Sequence, residues 1–255
     1  MKNLFFFIAV LVFYSCGSVE PTESTWKNGF TIPDGNDSNL SDSLKSVYKA
    51  DAEHLALRDI HSVESEKNSL VEIPGELINM YYSSLIHVYN KYYGVKGLIG
   101  AVCNIHVFPE PETHRLLVSA DMTKQWVKNF LGGNSVTGYK AFDDLVATYK
   151  LKQTQVGTFS NIIVLYSENA LNILALSNLF KNLDGVNFTE PDGIVGDGND
   201  IKSEVNRNQL NLTYYLKWGD CPAGCISHHY WKLRLDRMGN VEFIDEGGDP
   251  IGYHN

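Results

Sequence analysis

Cys221 and Cys225 lie four residues apart around Pro222-Ala223-Gly224, and His228-His229 follows almost at once. Two chemistries use such a set. Pro222 and Gly224 bend the chain enough for the two sulfurs to meet, so in an oxidising compartment a small disulfide forms. The rival is a zinc site recruiting His228 or His229. Structural zinc usually takes four ligands, and Cys103 sits in a distant apolar row, so the disulfide is favoured. A ring this short removes little freedom from the unfolded chain; its use is to fix a connection between strands. Asp192, Asp197, Asn199 and Asp200 place oxygen ligands in a glycine-rich loop that could hold calcium. Their spacing misses the EF-hand pattern, which favours a solvated acidic turn. Cys103 reads as a buried, inert thiol, because a reactive one needs an electropositive, accessible site. No Gly-x-Ser-x-Gly, His-Glu-x-x-His, phosphate loop or dinucleotide fingerprint occurs, so no catalytic residue and no cofactor is assigned.

The elements that must position these residues are read from periodicity. Leu210, Leu212, Tyr214, Leu216 and Trp218 alternate with Asn211, Thr213, Tyr215 and Lys217; beyond the cysteine loop His229, Trp231, Leu233 and Leu235 share one face. Gly239-Asn240 supplies a hairpin turn before Val241 and Phe243 resume the alternation. This predicts a C-terminal antiparallel meander. One of the paired histidines then points inward beside Trp231 as a hydrogen-bonded structural residue.

Upstream, Ser41 or Asp42 caps a first helix, and Pro74 opens a second with an apolar arc through Leu77, Tyr81, Leu85, Val88 and Tyr92. Leu98 to Phe108 reads as a strand with Cys103 on its apolar side, ended by Pro109 and Pro111. Arg115 to Ala120 is another strand. Tyr139 to Tyr149 is an amphipathic helix, Phe159 to Tyr166 a strand, and Asn169 the cap of a helix that Gly185 ends before Val186 to Thr189. The fold expected is α+β: N-terminal helices, a central mixed sheet with helices packed on it, and the C-terminal meander. Residues 40–255 form a single domain, with possible subdivision into 40–97, 98–195 and 196–255.

The first sixteen residues are set apart. Lys2 precedes an apolar run from Leu4 to Tyr14, too short to span a bilayer but sized for a secretory leader, and Ser15-Cys16-Gly17 follows. This resembles a bacterial lipoprotein signal, which implies that Cys16 becomes the acylated first residue of an exported, outer-membrane-anchored protein of the cell envelope. Residues 17–39 are rich in Ser, Thr, Asn, Asp, Gly and Pro and read as a flexible tether. Hydrophobic residues make up 44% of the 255 and charged ones 20%, the balance of a folded globular chain. The formal net charge of −9 without a Lys/Arg cluster argues against nucleic acid and against a polybasic membrane patch.

Two further resemblances concern the mature chain. Gly157-Thr158-Phe159, Ser167-Glu168-Asn169-Ala170-Leu171 and Leu183-Asp184-Gly185-Val186 leading to Thr189-Glu190-Pro191-Asp192 resemble a subtilisin-propeptide or inhibitor-like module, a small open α/β sandwich that is ferredoxin-like in part. Leu55-Ala56-Leu57-Arg58, Ile73-Pro74, the Gly196-to-Gly198 loop and Cys-Pro-x-Gly-Cys before His-Tyr-Trp are similar to uncharacterised secreted or lipid-anchored proteins of the Bacteroidota. That second likeness implies no particular activity. The expectation is therefore a non-enzymatic envelope lipoprotein that binds a protein or another extracellular ligand, anchored to the membrane through lipid. The alternatives are a protease inhibitor or processing partner, implied by the propeptide likeness, and a hydrolase whose residues meet only in the fold.

Overall fold

The structure, a computed structural model, describes residues 29–62, 66–156 and 161–251. The leader, Cys16, residues 17–28 and Gly157-Thr158-Phe159 lie outside that set.

Helix α1 (Asp42–His61) starts where the Ser41 hydroxyl accepts the Leu44 N–H at 3.2 Å. Its Leu55-Ala56-Leu57 run is buried together with Tyr48, Ala52 and Ile60, and so are Asp51, Glu53, His54 and Asp59. From Asp51 to Ile60 α1 is thus covered on nearly every side, and its ionisable groups there need partners inside the protein. Helix α2 (Gly75–Tyr92) carries the expected arc: Leu77, Tyr81, Leu85, Val88 and Tyr92 are all buried.

The first sheet follows, with β1 (Arg115–Ala120), α3 (Gln125–Leu131), α4 (Lys140–Thr148), β2 (Lys152–Val156), β3 (Ile162–Tyr166), α5 (Ile173–Phe180) and β4 (Val186–Pro191). Its strand order is β2-β3-β1-β4 and every pairing is antiparallel. The sheet is therefore not mixed as expected. Each helical crossover does join two strands of like direction, but a strand from the other half is inserted between them. This is the β-α-β-β-α-β, split βαβ arrangement of ferredoxin-like folds. The second sheet, β5 (Asp200–Val205), β6 (Gln209–Trp218), β7 (Ser227–Asp236) and β8 (Val241–Gly248), is an antiparallel meander in chain order. The expected alternation holds: Leu210, Leu212 and Tyr214 on β6 and Trp231, Leu233 and Leu235 on β7 are buried side by side. The class is α+β, with a four-stranded C-terminal sheet.

Three further expectations are corrected. Residues Leu98–Asn104 form a 3-10 turn, not a strand. Val102 and Cys103, consecutive in that turn, are both buried. A Cβ on Gly100 would lie 2.4 Å from the Val95 carbonyl oxygen, so the turn is too tight for any side chain there. The cap of α5 is Asn172, whose side chain accepts the Ala175 N–H, rather than Asn169. Finally, residues 29–39 of the expected tether lie on the protein. Phe30 is buried, Asp37 accepts the Tyr82 hydroxyl at 2.8 Å, and Asn90 donates to the Asn36 carbonyl at 2.8 Å. Composition there is loop-like, but one aromatic anchor and two side-chain bonds suffice to fix it.

Two hydrophobic clusters result. α1, α2, the 98–107 segment and the meander share one, while α3, α4, α5 and the first sheet share the other. The contacts across α1 from one to the other are largely polar: His61 to Asn172 at 3.1 Å and His114 to Glu53 at 3.2 Å. Among the described residues no helix is long and apolar enough to cross a membrane.

Candidate functional site

The Cys221–Cys225 bond forms at the β6–β7 connection, as the spacing predicts. What holds this tip in place is Asp197, on the loop before β5. Its N–H donates to the Cys221 carbonyl at 2.9 Å. Its carboxylate accepts Lys217 Nζ at 2.5 Å, the Gly198 N–H at 2.8 Å and the Cys225 N–H at 3.4 Å. The Lys217 contact comes first among the causes that hold the Asp197 carboxyl below the usual range. Two loops distant in sequence are thereby pinned to each other. Around this joint the apolar side chains face outward: Val195 is 95% exposed, Ile226 77% and Ile194 49%.

The other oxygens of the acidic loop are directed elsewhere. Asn199 accepts the Lys217 N–H at 2.9 Å, Asp192 lies 3.3 Å from Arg115, and buried Asp200 accepts Arg58 Nη1 at 2.8 Å and the Phe108 N–H at 3.0 Å. Asp192, Asp197, Asn199 and Asp200 thus each serve a different structural contact. Among the described residues no group of three or more His, Cys, Asp or Glu side chains is placed to hold a metal ion.

Sequence reading did not single out the polar residues of α1. Arg58 donates to four groups: Asp200 Oδ1, the Ile201 carbonyl at 3.1 Å, the Phe108 carbonyl at 2.8 Å and the Glu110 carbonyl at 3.0 Å. All five of its N–H donors point along a fixed fork, which is why one arginine can tie α1 to two separate loops. Asp51 takes His106 Nδ1 at 2.7 Å and the Val107 N–H at 2.8 Å. Glu53 faces His114 Nε2 at 3.2 Å, while His114 Nδ1 meets the Ser167 carbonyl at 2.9 Å. Both neighbours of the His114 ring are acceptors, so only the imidazolium satisfies both. The Glu53 contact is the first cause raising the His114 pKa above its ordinary value. A signal existed in the sequence: an unbroken apolar triplet, Leu55-Ala56-Leu57, within a helix implies burial beyond one face, and so implies partnered charges beside it.

Glu53, His114 and Ser167 are the residue types of a hydrolytic triad, but their geometry is different. His114 meets the carbonyl of Ser167, not its hydroxyl, and the buried hydroxyl donates to the Tyr149 carbonyl at 3.3 Å. A nucleophile needs its own oxygen within reach of the base. Cys103 is free, buried and pushed up to about 11 by burial, the inert thiol expected. His229 points inward against Trp231 with Nδ1 on the Asp249 carbonyl at 3.0 Å, a structural role as expected.

Two clefts are described. One of about 370 Å³ lies between α1, the start of α2 and the 148–150 and 169–171 segments, with Glu53 and Lys49 in its wall. The other, about 520 Å³, runs between the end of α1 and β5. Neither is lined by His106 or His114. No family model matches the chain, and no curated protein or solved structure matches it.

Proposed function

We propose that this chain is an exported, lipid-anchored envelope protein with a non-enzymatic binding role, and that the disulfide-braced tip around Ile194, Val195 and Ile226 is its contact surface. The observation that carries this reading is the combination of exposure and bracing at the tip: apolar side chains face water beside a covalent bond and a half-buried ion pair. Apolar groups fixed outward lose little conformational freedom when a partner covers them, so more of the contact energy is retained.

The described chain starts at Gly29, whose carbonyl accepts Arg237 Nη2, and Arg237 Nε also donates to the Arg207 carbonyl. Gly29 therefore sits at the end of the meander that carries the β5–β6 and β7–β8 turns. The tip is at the other end of the ten-residue strands β6 and β7, roughly 30 Å away at about 3.3 Å per residue. Gly29 and the tip therefore lie at opposite ends of the meander.

The test is photo-crosslinking in intact cells, with the reactive side chain placed at Val195 and, as control, at exposed Lys140. A discrete adduct from position 195, absent from position 140 and lost when Asp197→Ala unpins the tip, is the expected outcome. Equal yields from both positions would refute the assignment. The protease-inhibitor reading is kept as a second one because the β-α-β-β-α-β order falls on the segment that resembles a propeptide module. If the purified chain at micromolar concentration leaves subtilisin-like proteases at full rate, that reading fails.

A further inference from the structure

The cleft of about 370 Å³ lies where the two clusters meet, with Ile73 and Ile78 from one and Tyr149 and Leu171 from the other in its wall. That volume is at the small end of the range of about 300–1,000 Å³ that small-molecule sites use. A carboxylate in the wall has one oxygen uncommitted. The Glu53 side chain is only 7% exposed, and its Oε2 is taken by His114. Oε1 makes no hydrogen bond among the described residues; Lys49 Nζ stands 3.9 Å from it, beyond hydrogen-bond reach. A buried carboxylate oxygen without a donor is costly, and a ligand ammonium supplies the donor.

Donors suited to an anion line the same cleft. Lys150 is in its wall and makes no ion pair or side-chain hydrogen bond among the described residues. Its backbone is left-handed, with φ at 51°, and it is the only non-glycine residue so placed among the described residues. It stands just past the end of α4, where the Lys150 N–H returns to the Ala147 carbonyl at 3.3 Å and the Leu151 N–H to the Val146 carbonyl at 2.9 Å. That closure favours glycine, so the lysine is kept at a cost in backbone strain and brings a cation to the cleft. Gly75 opens the 18-residue helix α2 in the same wall, and Pro74 before it offers no side-chain cap. Its N–H has no partner among the described residues, and such a helix start attracts a carboxylate. Glu72 and Lys49 add one charge of each sign, and Ile73, Ile78, Ala170 and Leu171 supply an apolar surface.

We propose that this cleft binds a small zwitterion with an apolar side chain, a free amino acid or a dipeptide. The ligand ammonium donates to Glu53 Oε1, its carboxylate takes the Gly75 N–H and Lys150, and its side chain lies against the isoleucines. A plain anion leaves the Glu53 oxygen without a donor, and a plain cation leaves Lys150 without a partner; a zwitterion meets both needs. This site is separate from the tip, so either assignment can fail without the other.

The experiment is isothermal titration calorimetry on the full chain in mild detergent, with leucine and leucyl-leucine as probes and their N-acetylated and C-amidated forms beside them. At least one free zwitterion is expected to bind, and blocking either end should weaken it about tenfold or more, the size of a lost charge-assisted hydrogen bond. Tighter binding of leucine assigns the site to amino acids, and tighter binding of leucyl-leucine to short peptides. Lys150→Gly should keep its urea midpoint at or above that of wild type, because glycine is unstrained at this φ. It should bind the free zwitterion several-fold more weakly and lose less on C-amidation. Glu53→Gln should likewise lose less on N-acetylation; Lys150→Gly decides the matter even if Glu53→Gln does not fold. The proposal is overturned if neither zwitterion binds, if the blocked forms bind as well as the free ones, or if Lys150→Gly binds as wild type does.

Discussion

His114 shows how a single side chain comes to depend on pH here. It lies between the Ser167 carbonyl and the Glu53 carboxylate, stacks on Tyr166, and has Glu112 nearby as a further negative charge. Its pKa is raised in the folded state, so the stability it contributes is complete below the ordinary histidine value of about 6.5 and is lost as pH rises through the folded value. His114→Gln should therefore cost about 2 kcal/mol in acid and much less above neutrality. Urea denaturation of both proteins across that range checks it; a difference that stays constant with pH would contradict the imidazolium. The pair was hidden in the sequence because its members are 61 residues apart. Cys221 and Cys225 were legible because four residues separate them and the chemistry between them is local.

At the scale of elements, Arg58 is the main tie between α1, the 108–110 segment and the start of β5. Arg58→Met keeps the length of the side chain but leaves buried Asp200 facing a thioether, and should destabilise by about 3 kcal/mol, read as a lower urea midpoint at an unchanged slope. The disulfide is expected to matter less globally. Replacing Cys221 and Cys225 by Ser removes a very short covalent loop, worth about 2 kcal/mol or less by chain entropy, and leaves the Lys217–Asp197 ion pair in place. A loss much larger than that, measured by the same denaturation, would mean that the tip organises the whole sheet. Strands β6 and β7 were readable because each buries one face and wets the other. The 98–108 stretch misled because Val102 and Cys103 join the cluster of α1 and α2 from a 3-10 turn, where alternation in sequence has no pleat behind it, and only Ile105 and Val107 follow from extended chain. The direction of the strands in the first sheet was out of reach as well, since the residues of a split βαβ unit carry no mark of which strand will be inserted between them.

At the scale of the molecule, two apolar clusters meet through polar contacts from α1 and through the backbone pairing of Val71-Glu72 with Leu171-Asn172. Trp126 belongs to one cluster and Trp231 to the other, so each can report on its own half. With the remaining tryptophans replaced by Phe, the two single-tryptophan proteins should unfold at one shared urea midpoint in mild acid, where the Glu53–His114 contact is intact. The midpoints should separate as pH rises and that contact weakens. Coincidence at every pH would show that the halves are coupled by something other than this seam. The α+β class and the meander could be read from periodicity; the division into two clusters could not, because it is set by which elements distant in sequence each helix packs against.

The account rests on a chain that leaves the reducing interior and is oxidised at its tip. The most direct measurement is alkylation of the protein taken from the envelope fraction, denatured first without reductant and then with it, followed by intact-mass spectrometry. The account predicts that only Cys103 is labelled without reductant, that Cys221 and Cys225 join it after reduction, and that the mass corresponds to a chain beginning at an acylated Cys16. A leader-bearing chain found in the cytoplasm, with Cys221 and Cys225 alkylated from the start, would contradict it.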